Sequence, residues 1–251
     1  MDKSLIEIMK TKWMYLNEEE LKYYSFGIFI ECICLSVIIA IILKLLFQSD
    51  FMLSMTGFTI VSIMFTILIY KRDFFDEKFQ LFSSDLMQGT NQGLILFLFV
   101  SSFLVSWGFF CAALKYGLYN AIAFALAVCF PGIFMLLRRN AYSNENNGSV
   151  YGGGNIGYHP IFHWFLGITA GSGPLGVSLT NFLKDIFVKG SFLNMDLILV
   201  VLALLLECFV LSPDVANKIL PFELKRIEGM KKFSLISLGL MIILLFFNVI
   251  I

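Results

Sequence analysis

The sequence predicts an all-α protein: a polytopic transmembrane helix bundle of about seven spans, preceded by a short N-terminal amphipathic helix. Three observations carry that expectation. Of 251 residues, 59% are hydrophobic and the mean hydropathy is +0.85. Only 14% of residues are charged, against roughly 25% in a soluble domain, so a water-soluble fold would expose a contiguous apolar surface. Seven apolar stretches approach the roughly 20 helical residues that a hydrocarbon core of about 30 Å requires.

Residues 1–16 read as an interfacial helix. Leu5, Ile6, Ile8, Met9, Trp13 and Met14 interleave with Lys3, Glu7, Lys10 and Lys12, the pattern of a helix lying at the headgroup boundary. Residues 17–251 form the transmembrane domain. Asn17 followed by Glu18, Glu19 and Glu20 is an N-cap with acids in the first turn, so the first helix starts several residues before its apolar run. No short apolar stretch with a cleavage site precedes it, which argues against a cleaved signal peptide.

The apolar stretches run Phe26 to Phe47, Met52 to Tyr70, Gly93 to Leu114, Tyr116 to Leu137, Pro160 to Asn181, Phe192 to Ser212 and Phe233 to Ile251. The fifth is the weakest, because Gly167, Gly171, Gly173, Pro174 and Gly176 interrupt it. Between the fourth and fifth, 140–157 is rich in Asn and Gly and reads as a loop. Pro213 to Lys232 mixes Ile219, Leu220, Phe222, Leu224 and Ile227 with five basic residues. It reads as a cytoplasmic connector or as an interfacial helix broken at Pro221.

The basic residues orient the set. With the N-terminus in the cytoplasm, fourteen of eighteen Lys and Arg fall on the inner side, and only Lys44, Lys115, Lys184 and Lys189 fall outside. Omitting the fifth span would move the basic connector Pro213 to Lys232 outward, against the positive-inside rule. The expectation is therefore a multi-pass protein of the cell membrane with its C-terminus external. A re-entrant fifth segment is the alternative.

Charged groups inside lipid are expensive and are functional candidates by default. Glu31 and Glu207 each lie five residues from the cytoplasmic margin of their apolar run, roughly 7 Å deep at 1.5 Å per residue. Both are expected to face the bundle interior, where they either share a proton or cation or pair with a basic residue such as Arg138. The segment Gly171, Ser172, Gly173, Pro174 and Gly176 is expected to be non-helical or kinked. It is a candidate broken-helix site of the kind transporters use, or else a close helix contact through small residues.

Other motifs carry less. His159 and His163 are spaced like a metal pair, but a third ligand is missing and Pro160 places His159 before the helix. The five cysteines all lie in apolar runs, where cysteine behaves as a small hydrophobe. Ala170-Gly171-Ser172-Gly173 resembles the serine motif of rhomboid intramembrane proteases. No histidine follows His163, however, and His163 and Ser172 are about 2.5 helical turns apart, on opposite faces. Glu18-Glu19-Glu20-Leu21-Lys22 lacks the arginine of the motif of membrane CAAX-type proteases.

Without a complete catalytic set, the leading expectation is a non-enzymatic protein with no cofactor. Its partners are lipid and other membrane proteins or further copies of itself, and not nucleic acid, given a net charge of zero. Richness in Ile, Lys, Phe and Asn suggests an AT-rich bacterial genome, and secretion accessory or toxin immunity are the settings considered. The alternative is a small transporter or channel using Glu31 and Glu207.

Overall fold

A computed structural model describes residues 17–71, 91–138, 142, 159–190, 195–224 and 227–250. The expected amphipathic helix at 1–16 and most of the Asn/Gly-rich loop lie outside the described residues. Everything described is helix, turn or short connector, with no strand among the described residues. Five helices are long and apolar enough to cross a membrane, or six if a bent pair counts as one span.

The chain divides into two compact units, residues 1–83 and 84–251. The first is a helical hairpin. Helix α1 (Glu18–Phe47) begins at a complete capping box: the Asn17 carboxamide oxygen accepts from the Glu20 amide at 2.8 Å, and the Glu20 carboxylate accepts from the Asn17 amide. The Asn17 expectation therefore holds at the atomic level. Gln48 adopts left-handed backbone after α1, and the Asp50 carboxylate caps helix α2 (Phe51–Tyr70) at the Leu53 amide. The buried faces carry small and hydroxylated residues, Ser25, Ser36 and Ala40 on α1 and Ser54, Gly57 and Ser62 on α2. Such residues let membrane helices approach closely, since lipid offers no hydrophobic drive for helices to associate.

The second unit is a bundle around helix α4 (Leu118–Leu137). Helix α3 (Asn91–Ala113) runs through a 3₁₀ turn (Leu114–Tyr116) to Gly117, whose φ of 114° only glycine adopts readily. The chain then returns as α4. The contact is close: a methyl group on Gly132 would stand 2.4 Å from Ser102 Oγ and 3.0 Å from the Phe99 Cα.

Helix α5 (Pro160–Leu166) opens with Pro160 in its first turn, as the sequence implied. A π-helical turn, π1 (Gly167–Gly171), then leads into helix α6 (Ser172–Lys184) and a second π turn, π2 (Asp185–Lys189). The backbone thus stays helical through Gly171 to Gly176. Pro174, which has no N–H to donate, lies within this continuous helical run, three residues after the π turn ends. What departs from α geometry is the turn before it, with the Ser172 amide reaching back five residues to the Gly167 carbonyl. Of the expectation that Gly171–Gly176 is non-helical or kinked, the non-helical form is absent, and a π turn ending at Gly171 takes up the irregularity.

Helix α7 (Met195–Val210) ends in a 96° corner to the short helix α8 (Pro213–Ile219). Residues before proline avoid helical backbone, and Ser212 and Leu220, which precede Pro213 and Pro221, are both non-helical. Helix α9 (Ile227–Ile250) closes the unit and begins six residues before its apolar run. The whole connector is thus broken at Pro221, as the sequence suggested.

The Gly132 contact generates a prediction. Gly132→Ala should lower the thermal midpoint of the purified protein, the overpacking costing about 1–3 kcal/mol. Gly173→Ala is the control. Nothing lies within 4 Å of the added methyl group, so it should leave the midpoint unchanged or raised by the roughly 0.5–1 kcal/mol that alanine gains over glycine in a helix.

Candidate functional site

Glu207 is fully buried on α7. It faces the C-terminal end of π1: a methyl group on Gly171 would meet Glu207 Cγ at 2.8 Å and Cβ at 3.1 Å. Glycine at 171 is therefore what admits the glutamate side chain. The Ser172 hydroxyl lies 3.1 Å from Glu207 Oε1, while Oε2 is buried without a hydrogen-bond partner among the described residues. No basic group stands within ion-pair distance of it there; Arg138, the counter-charge the sequence suggested, is paired with Asp214 instead.

Ser172 is itself buried and contacts three elements. Its hydroxyl is 3.0 Å from the Ala127 carbonyl of α4 and 3.3 Å from the Gly167 carbonyl at the start of π1. Gly176, one turn further on, packs against the Phe124 ring, where an added methyl group would stand 2.7 Å away. Two features read separately in the sequence, Glu207 and the Gly171–Gly176 segment, thus form one site. Nothing in the sequence pattern linked them, because they are joined only through the packing of α4, π1, α6 and α7.

Glu31 belongs to the other compact unit, and its side chain is exposed rather than facing inward. The buried face of α1 runs through Leu21, Ser25, Ser36, Ala40 and Leu43, and Glu31 lies off that stripe. Equal distance from the margin of an apolar run specifies depth, not face.

A second polar cluster, unforeseen from sequence, holds the α7–α8 corner. The last carbonyls of a helix have no intrahelical donor, and here side chains supply one. His163 Nδ1 lies 2.7 Å from the Val210 carbonyl, which places the ring proton on Nδ1, and the Tyr142 hydroxyl donates to the Leu211 carbonyl. Burial pushes the Tyr142 phenol above its usual range, the nearby Arg138 opposing this, so the phenol stays a neutral donor. Arg138 at the end of α4 donates to Ser212 Oγ at 2.7 Å and to Asp214 at 2.8 Å. His163 is completely buried against Phe162, Tyr142 and Phe233, so it is a packing and capping residue. His159 is the N-cap of α5. The five cysteines are free thiols.

No protein family matches this chain, and no curated protein or solved structure is significantly similar to it.

The corner can be tested through Tyr142. Tyr142→Phe removes the donor but keeps the ring, leaving the buried Leu211 carbonyl short of a partner at a cost of about 1–3 kcal/mol. The expected result is a lower thermal midpoint and faster protease cleavage near Pro213–Leu224, with α-helix content unchanged by circular dichroism.

Proposed function

We propose that the chain is a multi-pass membrane transport protein that moves a small monovalent cation, the proton included, with Glu207 as its working group. One observation carries the reading: a fully buried carboxyl on an apolar helix, without a basic partner among the described residues, set against a π turn. A structural carboxyl in lipid is normally paired, and π turns inside α-helices are frequent at functional sites. The Gly167 carbonyl of the irregular turn and the carboxyl both lie within hydrogen-bond distance of the Ser172 hydroxyl, and transporters likewise build sites at irregular helices.

The topology belongs to the same proposal. The five long helices are joined by Pro160–Lys189 and by α7 to make seven crossings. At 1.5 Å per residue the continuous helical run Pro160–Lys189 is about 45 Å long and α7 about 24 Å, so the first spans the hydrocarbon with length to spare and the second needs its flanking residues. With the basic bias of the sequence, the N-terminus is then cytoplasmic, the C-terminus external and the location the cell membrane.

Exposed Glu31 favours a second reading, in which the chain acts through helix–helix contacts with other membrane proteins, as an accessory of a secretion system or in toxin immunity. A carboxylate on an exposed face of an apolar helix is costly against lipid, and a partner helix bearing a donor or cation would relieve that cost.

Reconstituted in liposomes enclosing a pH-sensitive dye, the wild-type chain should dissipate a proton or alkali-cation gradient, and Glu207→Gln should abolish the flux at unchanged protein content. Equal flux from both would sink the transport reading. Under the contact reading, Glu31→Gln should remove proteins that co-purify with the chain from membranes while Glu207→Gln retains them. A C-terminal fusion should give active alkaline phosphatase and dark green fluorescent protein; the reverse pattern would exclude seven crossings.

A further inference from the structure

We propose that the ion held at Glu207 is a proton, and that its binding and release switch the Ser172 hydroxyl between two helices. The inference rests on the reading of Glu207 as the working group and adds the identity of the ion and what the ion does to the fold.

The argument is a count of hydrogens. Pro131 lies inside α4 and has no N–H, so the carbonyl four residues before it, that of Ala127, loses its helical donor. Inside a membrane no water replaces that donor. The Ser172 hydroxyl stands 3.0 Å from this carbonyl oxygen and is the donor that replaces the missing amide. A hydroxyl has one hydrogen. The Gly167 carbonyl, 3.3 Å from the same hydroxyl, already accepts the Ser172 amide. Ala127 and Glu207 are left competing for one hydrogen.

An ionised carboxylate only accepts. With Glu207 ionised, either the Ala127 carbonyl or the carboxylate oxygen 3.1 Å from Ser172 goes without a donor, in addition to Oε2. With Glu207 protonated, the acid donates to Ser172 Oγ and Ser172 donates to Ala127. The chain Glu207, Ser172, Ala127 is then complete, and Oε2 is left as a weak neutral acceptor. An alkali cation fits less well. The oxygens of Glu207, Ala127 and Gly167 stand at hydrogen-bond distance from Ser172 Oγ, so the centre of the cluster is already a protein atom.

Loss of the proton reverses the chain. A charge-assisted hydrogen bond is roughly twice as strong as a neutral one, so the Ser172 hydrogen turns to Glu207 and the Ala127 carbonyl is released. The link from α4 to the start of α6 breaks while the link to α7 tightens. Among the described residues no titratable group of the surrounding elements bonds Glu207: His163 of α5 is on the Val210 carbonyl, Arg138 of α4 on Ser212 and Asp214, Cys129 of α4 is a buried free thiol, and Lys184 stands at the far end of α6. On α7 itself Cys208 follows Glu207 in sequence and is a free thiol. The described part of α9 places no charged group within ion-pair distance of Glu207.

Infrared spectra of the full chain in lipid nanodiscs test this, with Glu207→Gln as the difference reference. A carboxylic-acid C=O band assigned to Glu207 is expected at neutral pH. Pro131→Ala restores an amide donor to Ala127 and frees Ser172 for the carboxylate. The band should then vanish at a pH about one unit lower than in the wild type, the tenfold shift equivalent to ~1.4 kcal/mol. Ser172→Ala removes the donor and should move the loss to higher pH, so the two variants shift in opposite directions and either alone keeps the test informative. Absence of the acid band, shifts of both variants in one direction, or loss of the band on adding Na⁺ or K⁺ at fixed pH would overturn the proposal. An acid band that behaves as expected beside flux that Glu207→Gln leaves intact would support the switch and refute only the transport reading.

Discussion

A backbone carbonyl in lipid must find a donor within the protein, and Pro131 creates one that α4 cannot satisfy by itself. The arrangement around it follows from that requirement. Ser172 must come within reach of Ala127, which draws the start of α6 against α4. Glycines at 171 and 176 let the backbone approach Glu207 and Phe124 at distances a methyl group would forbid. The π turn before Ser172 sets the hydroxyl toward both α4 and α7. The same need recurs at the end of α7, where His163 and Tyr142 serve two further carbonyls. Polar side chains in this bundle chiefly complete the backbone, whereas Glu207 keeps one buried oxygen without a partner among the described residues and, unlike Asp214, has no cation beside it there.

Much of the fold was legible in the sequence because local chemistry sets it. Asn17 followed by three glutamates announces an N-cap, and the cap is present as a full capping box. Pro160, Pro213 and Pro221 mark helix boundaries, and each does so in the structure. Five of the seven apolar runs match helices long enough to cross a membrane, because apolar runs of that length bury their backbone only as helix. The ends were less legible: α1 and α9 each start before their apolar runs, since helices continue into the interface where hydropathy has already fallen.

The site was half legible. Glu207 stands out as a carboxylate in an apolar run, and so did Glu31, yet only Glu207 is buried. The difference lies in helix face, which a nearly uniform apolar run conceals because polar contrast is too weak to show a period. The meeting of Glu207 with Ser172, 35 residues earlier, depends on helix packing that no local pattern encodes. Glycine and proline between 167 and 176 did signal an irregularity; its form, a π turn in which the Ser172 amide reaches the Gly167 carbonyl, could not be read because glycine and proline weaken an α-helix without specifying what replaces it.

The corner after α7 gathers side chains from far apart in the chain. Arg138 and Tyr142 are made long before their acceptors across the fold, Ser212 and Asp214 for Arg138 and the Leu211 carbonyl for Tyr142. During synthesis the N-terminal partners emerge first and wait, with a guanidinium and a phenol lacking their final contacts, until the segment beyond Val210 arrives. Closure of the corner is therefore a late event in biogenesis. A chain truncated before Pro213 would keep Ser212 but lack Asp214, leaving the Arg138 guanidinium at the end of α4 without its carboxylate.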